Sequence, residues 1–354
     1  MKGIILFYLF IIPTFLLSQE TILPDLEGNS LLDRLRSEYK PARVLNYADA
    51  REFMFENLQV SEDTIEAIYS GYRLHLPKGV PSRSWTFDRG INTEHIYPRS
   101  KGASDGNAFS DLHHLKPARA EINSSRLNHP FREIDDSDTK KWFRRDEFTF
   151  DIPNEQIDEY SELDSTVLSS GFIVGEFEPR EEVKGDIARS VFYFYTMYRD
   201  EALSADPDYF EEMKDDLCQW HLADPPSSLE IEWSEMIGTV QDDKPNPFVL
   251  DCSVALRSYC QDLEANCSNQ TVATIETAEE SSIKIYPNPA SHSFRIDSPI
   301  SIQKVEIFDN TGRRVYSNAN FDNNVTIRAV SSGLYQVLLY GESRLFSTRL
   351  RILK

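Results

Sequence analysis

Asn92-Thr-Glu-His-Ile-Tyr-Pro98, then Ser110-Asp-Leu-His-His-Leu-Lys-Pro117 and Ala120-Glu-Ile-Asn-Ser-Ser-Arg126, decide how the rest of the chain is read. Four of the seven histidines, His95, His113, His114 and His129, fall in this region, among carboxylates, asparagines and arginines. A hydrophobic core does not accept such a mixture, because buried charges have to be paired or ligated. The stretch therefore reads as a polar site held by its surroundings.

Its residue types suit phosphodiester hydrolysis, which needs an activated water, counter-charge for the phosphorane-like transition state and help for the leaving oxygen. A neutral imidazole takes the water's proton near its own pKa, and His95 is the candidate base. Glu94 and Asn123 offer the hard oxygen ligands that Mg2+ accepts, with Mn2+ or Ca2+ as alternative ions. Arginine pairs with phosphate oxygens. Pro117 opens a predicted helix in which Arg119, Asn123 and Arg126 stand at i, i+4 and i+7, on one face. Adjacent Glu94 and His95 point to opposite faces of a regular strand, so they serve one site only by flanking it or through a bend. His113 and His114 stay open between phosphate or orienting roles and structural hydrogen bonding. Asp111 reads as a turn or supporting residue, and His75, His221 and His292 as structural.

The wider chain bounds this reading. At 354 residues two domains are expected. A 40% hydrophobic share is ample for packed cores. Residues 1–18 read as an export signal, with Lys2 ahead of an apolar run from Gly3 to Leu17 that is short for a membrane span. No other run is long enough to span, and no cysteine near the cleavage point suggests a lipid anchor. Cys218, Cys252, Cys260 and Cys267 are an even set in an exported chain, which favours disulfides in one of three connectivities over zinc. The net charge of −21 is unlike that of a protein touching nucleic acid, which needs positive potential at least locally; outside the motif region it reads as solvated surface. Residues 83–132 are the exception, with eight Lys and Arg against five Asp and Glu.

Along the chain, helices are expected at Leu31–Tyr39, from about Asp49, and from Ser61 as N-cap with Ile65, Ile68, Tyr69 and Tyr72 on one face. Asp186–Asp200 is a strong helix, and Asp206-Pro207 starts another with a stripe of Phe210, Met213, Leu217 and Trp220. Both aromatic stripes read as core. Residues 268–282 are small, polar and acidic, the composition of a linker. Beyond them, Val305–Phe308 and Gly333–Tyr340 alternate like strands of a small all-β module.

The three opening motifs, with Asn123-Ser-Ser-Arg-Leu-Asn-His-Pro-Phe131, resemble the signature of the endonuclease I family, exported nucleases with a ββα-metal (His-Me) finger. The resemblance continues through Gly185-Asp-Ile-Ala-Arg-Ser-Val-Phe-Tyr193, Trp220-His-Leu-Ala-Asp-Pro225 and Asn246-Pro-Phe248, about residues 45–262. It implies His95 as general base, Glu94 and Asn123 as magnesium ligands and Arg126 as an arginine of the finger helix. Arg99 and Arg119 are the candidates for the transition-state arginine. The family's short form has more cysteines near the site than this chain, so its disulfide pattern does not transfer.

The tail, with Ile285-Tyr-Pro-Asn-Pro-Ala290, a Gly-Arg turn at 312–313, Gly333-Leu-Tyr-Gln-Val337 and Arg349-Leu-Arg-Ile-Leu-Lys354, resembles the C-terminal sorting domain of type IX secretion. That resemblance implies a β-sandwich read by the export machinery of a Gram-negative bacterium; a surface-binding β-module is the other reading.

The expected architecture is α+β: a signal at 1–18, a mainly helical nuclease domain at 19–267 around the finger, a linker at 268–282 and a β-sandwich at 283–354. The expected protein is a secreted monomer without a stable membrane span, a Mg2+-dependent, sequence-nonspecific endonuclease acting on DNA or RNA. Two other classes compete: a noncatalytic nucleic-acid-binding surface protein, and a zinc hydrolase using His95, His113 and His114.

Overall fold

The computed structural model describes residues 21–263, 284–286, 290, 293–298, 302, 304–308, 314–318, 324–327, 333–340 and 345–352. The expected signal and linker, Cys267, His292 and the 312–313 turn lie outside the described residues. The chain divides into two compact units, with the boundary between Val272 and Ala273.

The first unit opens with α1 (Gly28–Tyr39), which buries Leu31, Leu32 and Leu35. In α2 (Tyr47–Asn57) the Asn46 side chain caps the helix by accepting from the Ala48 and Asp49 amides. Ala50 and Met54, one turn apart, face the core with Phe55. The helix expected after Ser61 is instead a short hairpin of β1 (Thr64–Glu66) and β2 (Arg73–His75). Asp63 and Gly71 both take positive φ, which a right-handed helix does not tolerate. Ile65, Ile68 and Tyr69 are buried all the same; their helix-like spacing comes from two sides of a turn facing inward.

After α3 (Ser82–Phe87), strand β3 (Ile91–His95) runs to the first motif. The intervening chain carries α4 (Gly106–Ser110) and returns as β4 (Leu115–Arg119), antiparallel to β3, with Ile91 opposite Arg119 and His95 opposite Leu115. Helix α5 (Ala120–Arg126) follows with no loop. The helix expected from Pro117 thus starts three residues later, because cross-strand pairing claims Pro117 and Arg119. Next come β5 (Lys141–Arg144), β6 (Glu147–Thr149), β7 (Ser161–Val167) and β8 (Ile173–Glu178), one antiparallel sheet in the order β6-β5-β7-β8.

The remaining helices are α6 (Lys184–Met197), α7 (Arg199–Ala205), α8 (Tyr209–Ala223), α9 (Ser228–Val240), α10 (Pro247–Leu250) and α11 (Ser253–Ser258). The expected Asp186–Asp200 helix is broken at Tyr198, whose backbone leaves helical geometry. Almost every residue of α6 is buried, so it forms the axis of this core. Helix α8 starts after Asp208 rather than at Asp206-Pro207, since the Asp206 carboxylate is engaged by Lys101 and by the Asp208 amide. Its expected stripe of Phe210, Met213, Leu217 and Trp220 is buried. A Cys218–Cys260 disulfide ties α8 to the end of α11, and Cys252 is disulfide-bonded as well. Three small sheets accompany these helices among the described residues, so the unit is mixed helix and sheet with helix the larger share, as expected.

In the second unit, β9 (Lys284–Tyr286), β10 (Ser293–Asp297) and β13 (Asn324–Thr326) form one antiparallel sheet. A second holds β11 (Lys304–Phe308), β12 (Arg314–Asn318), β14 (Gly333–Tyr340) and β15 (Leu345–Ile352). Alternate residues such as Phe294 and Ile296, Val305 and Ile307, and Val337 and Leu339 meet in one apolar cluster, as period-2 strands require. Among the described residues no helix is long and apolar enough to cross a membrane.

Candidate active site

A pocket of about 560 Å³ is lined by Thr93, Glu94 and His95 of β3 and by Asn123 and Arg126 of α5. Tyr47, Arg99, Ser100, Ser104 and Asn128 complete its polar wall. The opposed directions of Glu94 and His95 are reconciled by flanking. Thr93 and His95 are met from the α2 side, where Arg51 Nε donates to Thr93 Oγ1 at 3.0 Å and the Tyr47 ring lies 5.6 Å from the imidazole. Glu94 is met from the α5 side, by Arg126. Among the described residues strand β3 has only β4 as a neighbour, so its other edge is available to such a cleft.

His95 Nε2 lies 2.9 Å from the Phe109 carbonyl oxygen. A carbonyl only accepts, so Nε2 carries the hydrogen and Nδ1 keeps its lone pair. The Nδ1 atoms of His114 and His221 are sealed without a partner, whereas His95 Nδ1 is not among the sealed atoms. Burial, with smaller contributions from His114, Arg99 and Arg51, pushes the His95 imidazole down to about 3, against the pull of the Phe109 carbonyl. The ring is therefore neutral at ordinary pH, the state a base requires.

Glu94 is held by the Tyr69 hydroxyl, which donates to Oε1 at 2.6 Å, and by Arg126 Nη1 at 3.4 Å from the same oxygen. Burial raises the Glu94 carboxyl above its usual range, opposed by Arg126 and the Tyr69 hydroxyl. Asn123 Nδ2 donates to Asn92 Oδ1 at 2.8 Å and to the Thr93 carbonyl at 3.3 Å. With its hydrogens spent on β3, the amide is fixed and its Oδ1 remains an acceptor on the pocket wall. One carboxylate and one amide oxygen suit a hard cation such as Mg2+, which uses few protein ligands and keeps several waters. The residues present fit that group.

The arginines sort differently from the expectation. Arg126 is fully buried; beyond Glu94 it donates to the Ile96 carbonyl and to the Tyr209 hydroxyl. Arg119, which precedes α5 instead of lying on it, turns away from the pocket. Its Nη1 donates to the Arg89 carbonyl at 2.7 Å and its guanidinium lies over the Tyr72 ring. Arg99 lines the pocket, over the Phe109 ring. Arg51 was not singled out by sequence. Its i, i+4 relation to Tyr47 is legible, but its approach to Thr93 depends on how α2 packs on β3. Among the described residues neither Arg51 nor Arg99 pairs with a carboxylate, while buried Arg126, Arg180 and Arg189 all do.

His113 and His114 are structural. Their Nε2 atoms face the carbonyls of Lys244 and Ala108 at 2.9 and 2.7 Å, and neither residue lines the pocket. This geometry opposes a zinc centre built on them with His95. His221 likewise faces the Cys252 carbonyl. Asp111 accepts from His113 N, Gln241, Tyr193 and Tyr198, a fully buried knot beneath the second motif. Among the described residues the one cluster of three potential metal-ligating side chains is Glu133, Glu178 and Glu181, and the Lys184 ammonium bonds to all three.

Residues 60–252, more than half of the chain, match the family model for endonuclease I. The chain belongs to the endonuclease I family. Residues 284–352 match the secretion system C-terminal sorting domain. Two extracellular ribonucleases resemble part of this chain. That of Bacillus subtilis (strain 168) is 25% identical over 170 residues, and that of Bacillus amyloliquefaciens 28% over 171 residues. Each match takes 45% of this chain and 50% of the relative, so the chain spans about half the length of the curated relatives it matches. A solved structure of PorZ, a surface component of the type IX secretion system of Porphyromonas gingivalis, is 23% identical with a TM-score of 0.19. It covers 22% of this chain and 12% of that one, too slight a likeness to carry an argument.

Proposed function

We propose that this endonuclease I family member is a secreted, metal-dependent endonuclease that hydrolyses phosphodiester bonds of DNA and RNA without sequence preference. The observation that carries the proposal is the single pocket holding His95, with Nδ1 open, beside Glu94 and the orientated Asn123 oxygen. On this reading β3, β4 and α5 are the ββα finger. His95 Nδ1 takes a proton from the attacking water, and the Phe109 carbonyl holds the ring in the tautomer that leaves Nδ1 free. Glu94 and Asn123 would hold Mg2+, or Mn2+ or Ca2+ in its place. The ion supplies charge stabilisation to the phosphoryl and leaving oxygens. Arg51 and Arg99 hold the phosphate, and Arg126 positions Glu94. Such backbone contacts carry no direct sequence information, hence the lack of preference.

The sorting-domain match supports export, and the named activity of the two relatives supports including RNA among the substrates. The proposed organisation is a signal at 1–18, the nuclease at 19–267 and a sorting domain at 283–354 read by type IX secretion machinery, with a monomeric enzyme as product.

The test is cleavage of supercoiled plasmid and of single-stranded RNA by the full chain, with Mg2+ or with EDTA, beside His95→Ala. Cleavage that needs both the ion and His95 is expected, with a loss of about 10²–10⁴-fold in the variant. Cleavage of wild-type rate by His95→Ala would remove the base assignment. Binding without cleavage would favour a noncatalytic nucleic-acid-binding protein.

A further inference from the structure

Leu127 follows α5 directly and takes φ +53° and ψ −121°. Those angles belong to the first central position of a type II′ turn, and the His129 amide closes the turn on the Arg126 carbonyl at 3.2 Å. That position calls for glycine, because a side chain there crowds the backbone. Among the described residues the other apolar side chain at positive φ is Leu23, and it packs against the core. Leu127 does not: it joins none of the described apolar clusters, and 45% of it is exposed. Packing therefore does not offset the strain.

The turn is nonetheless held at every residue. The Leu127 amide donates to the Asn123 carbonyl at 3.2 Å, and Arg126 Nη1 donates to the Leu127 carbonyl at 3.4 Å. Asn128 Nδ2 donates to Ser100 Oγ, and the Tyr209 hydroxyl donates to the His129 carbonyl. Leu127 is thereby presented in the wall of the candidate active-site pocket, beside Asn123 and Arg126. Of the other apolar residues in that wall, Pro98 is buried and Tyr47 stacks on the His95 ring. Strained residues held in this way cluster at ligand sites, where the geometry serves the contact. We infer that Leu127 is a substrate-contacting residue that packs on the apolar sugar and base surface of the nucleotide next to the bound phosphate. The inference rests on the proposed nuclease reading and deepens it: the polar groups of the pocket take the phosphate, and Leu127 takes the nucleoside.

The test compares Leu127→Gly, Leu127→Ala and Leu127→Met with the wild type, all as the full chain. Binding of a short fluorescein-labelled single-stranded DNA is followed by anisotropy in EDTA over a salt series, and its cleavage is followed in Mg2+. The glycine and alanine variants should bind about tenfold more weakly, the loss of one partly buried leucine contact, while the methionine variant keeps the affinity. The salt dependence should have the same slope in all four proteins, because an apolar contact releases no counterions. Leu127→Gly should melt no lower than the wild type, since glycine accepts the positive φ. Undiminished binding and cleavage by the glycine and alanine variants, beside an active wild type, would overturn the inference alone. So would weakening confined to the glycine variant, a shallower salt slope, or a glycine variant that melts lower, each of which assigns Leu127 to supporting the turn. A wild type that leaves the DNA uncut would sink the nuclease reading itself, and this inference with it.

Discussion

At the scale of single residues, the candidate site separates groups open to the pocket from groups that hold them in place. His95 is poised by one hydrogen bond, from Nε2 to the Phe109 carbonyl, and Asn123 by two donations into β3. The arginines are separated by what they already touch. Arg99 lines the pocket with no carboxylate partner, whereas Arg119 is spent on backbone carbonyls beside β3. Arg99→Gln is therefore expected to lower cleavage by about 10–10²-fold, the loss of one charged contact to phosphate. Arg119→Gln should leave the rate constant nearly unchanged and cost about 1 kcal/mol of stability from its lost hydrogen bonds. Paired kinetics and urea denaturation of the two variants check this; the reverse pattern would move the phosphate contact to Arg119.

At the scale of elements, the segment carrying Arg99 and Ser100 is pinned by its neighbours. It ends at Gly102, whose φ is +132°. A Cβ there would lie 2.9 Å from the backbone N and Cα of Ala202 in α7. Glycine is needed both for its conformation and for this close approach. Gly102→Ala should destabilise the protein by about 1–3 kcal/mol, through strain and through displacement of α7 from the loop. Since Arg99 sits at the start of the same segment, activity should fall at temperatures where the variant is still folded. Equal stability and activity in the variant, measured by denaturation and cleavage, would show that the loop moves freely away from α7.

At the scale of the whole molecule, buried carboxyls shape the response to pH. Glu162 is 6% exposed and accepts from the Thr139 hydroxyl. Burial pushes its pKa from 4.5 up to about 8, with Glu178 adding to the rise; the Thr139 hydroxyl and Lys184 oppose it. Between those values the folded chain keeps a proton that the unfolded chain has released. Its contribution to stability is complete below about pH 4.5 and is lost as pH rises through about 8. Glu178, pushed up to about 7 chiefly by burial, acts in the same direction. Glu162→Gln should therefore melt higher than the wild type near pH 8, and the advantage should vanish near pH 5. A melting curve series that shows the same difference at both pH values would mean that Glu162 does not titrate in this window.

The sequence by itself determined the family, because the motifs that carry His95, Glu94 and Asn123 are local and lie within the stretch that the family model matches. It also determined the core stripes of α6 and α8, where apolar periodicity over several turns leaves one way to bury the chain. Only the tertiary structure decided that the Ser61 segment is a hairpin, because Ile65, Ile68 and Tyr69 face inward from two sides of a turn whose positive-φ residues periodicity does not register. Likewise, pairing with β3 draws Pro117 and Arg119 into a strand against their helical spacing. The same long-range packing separates Arg99 from Arg119 and brings Arg51 to Thr93 from 42 residues away. A guanidinium's role depends on which carboxylates and carbonyls reach it first, and those partners are chosen by the fold.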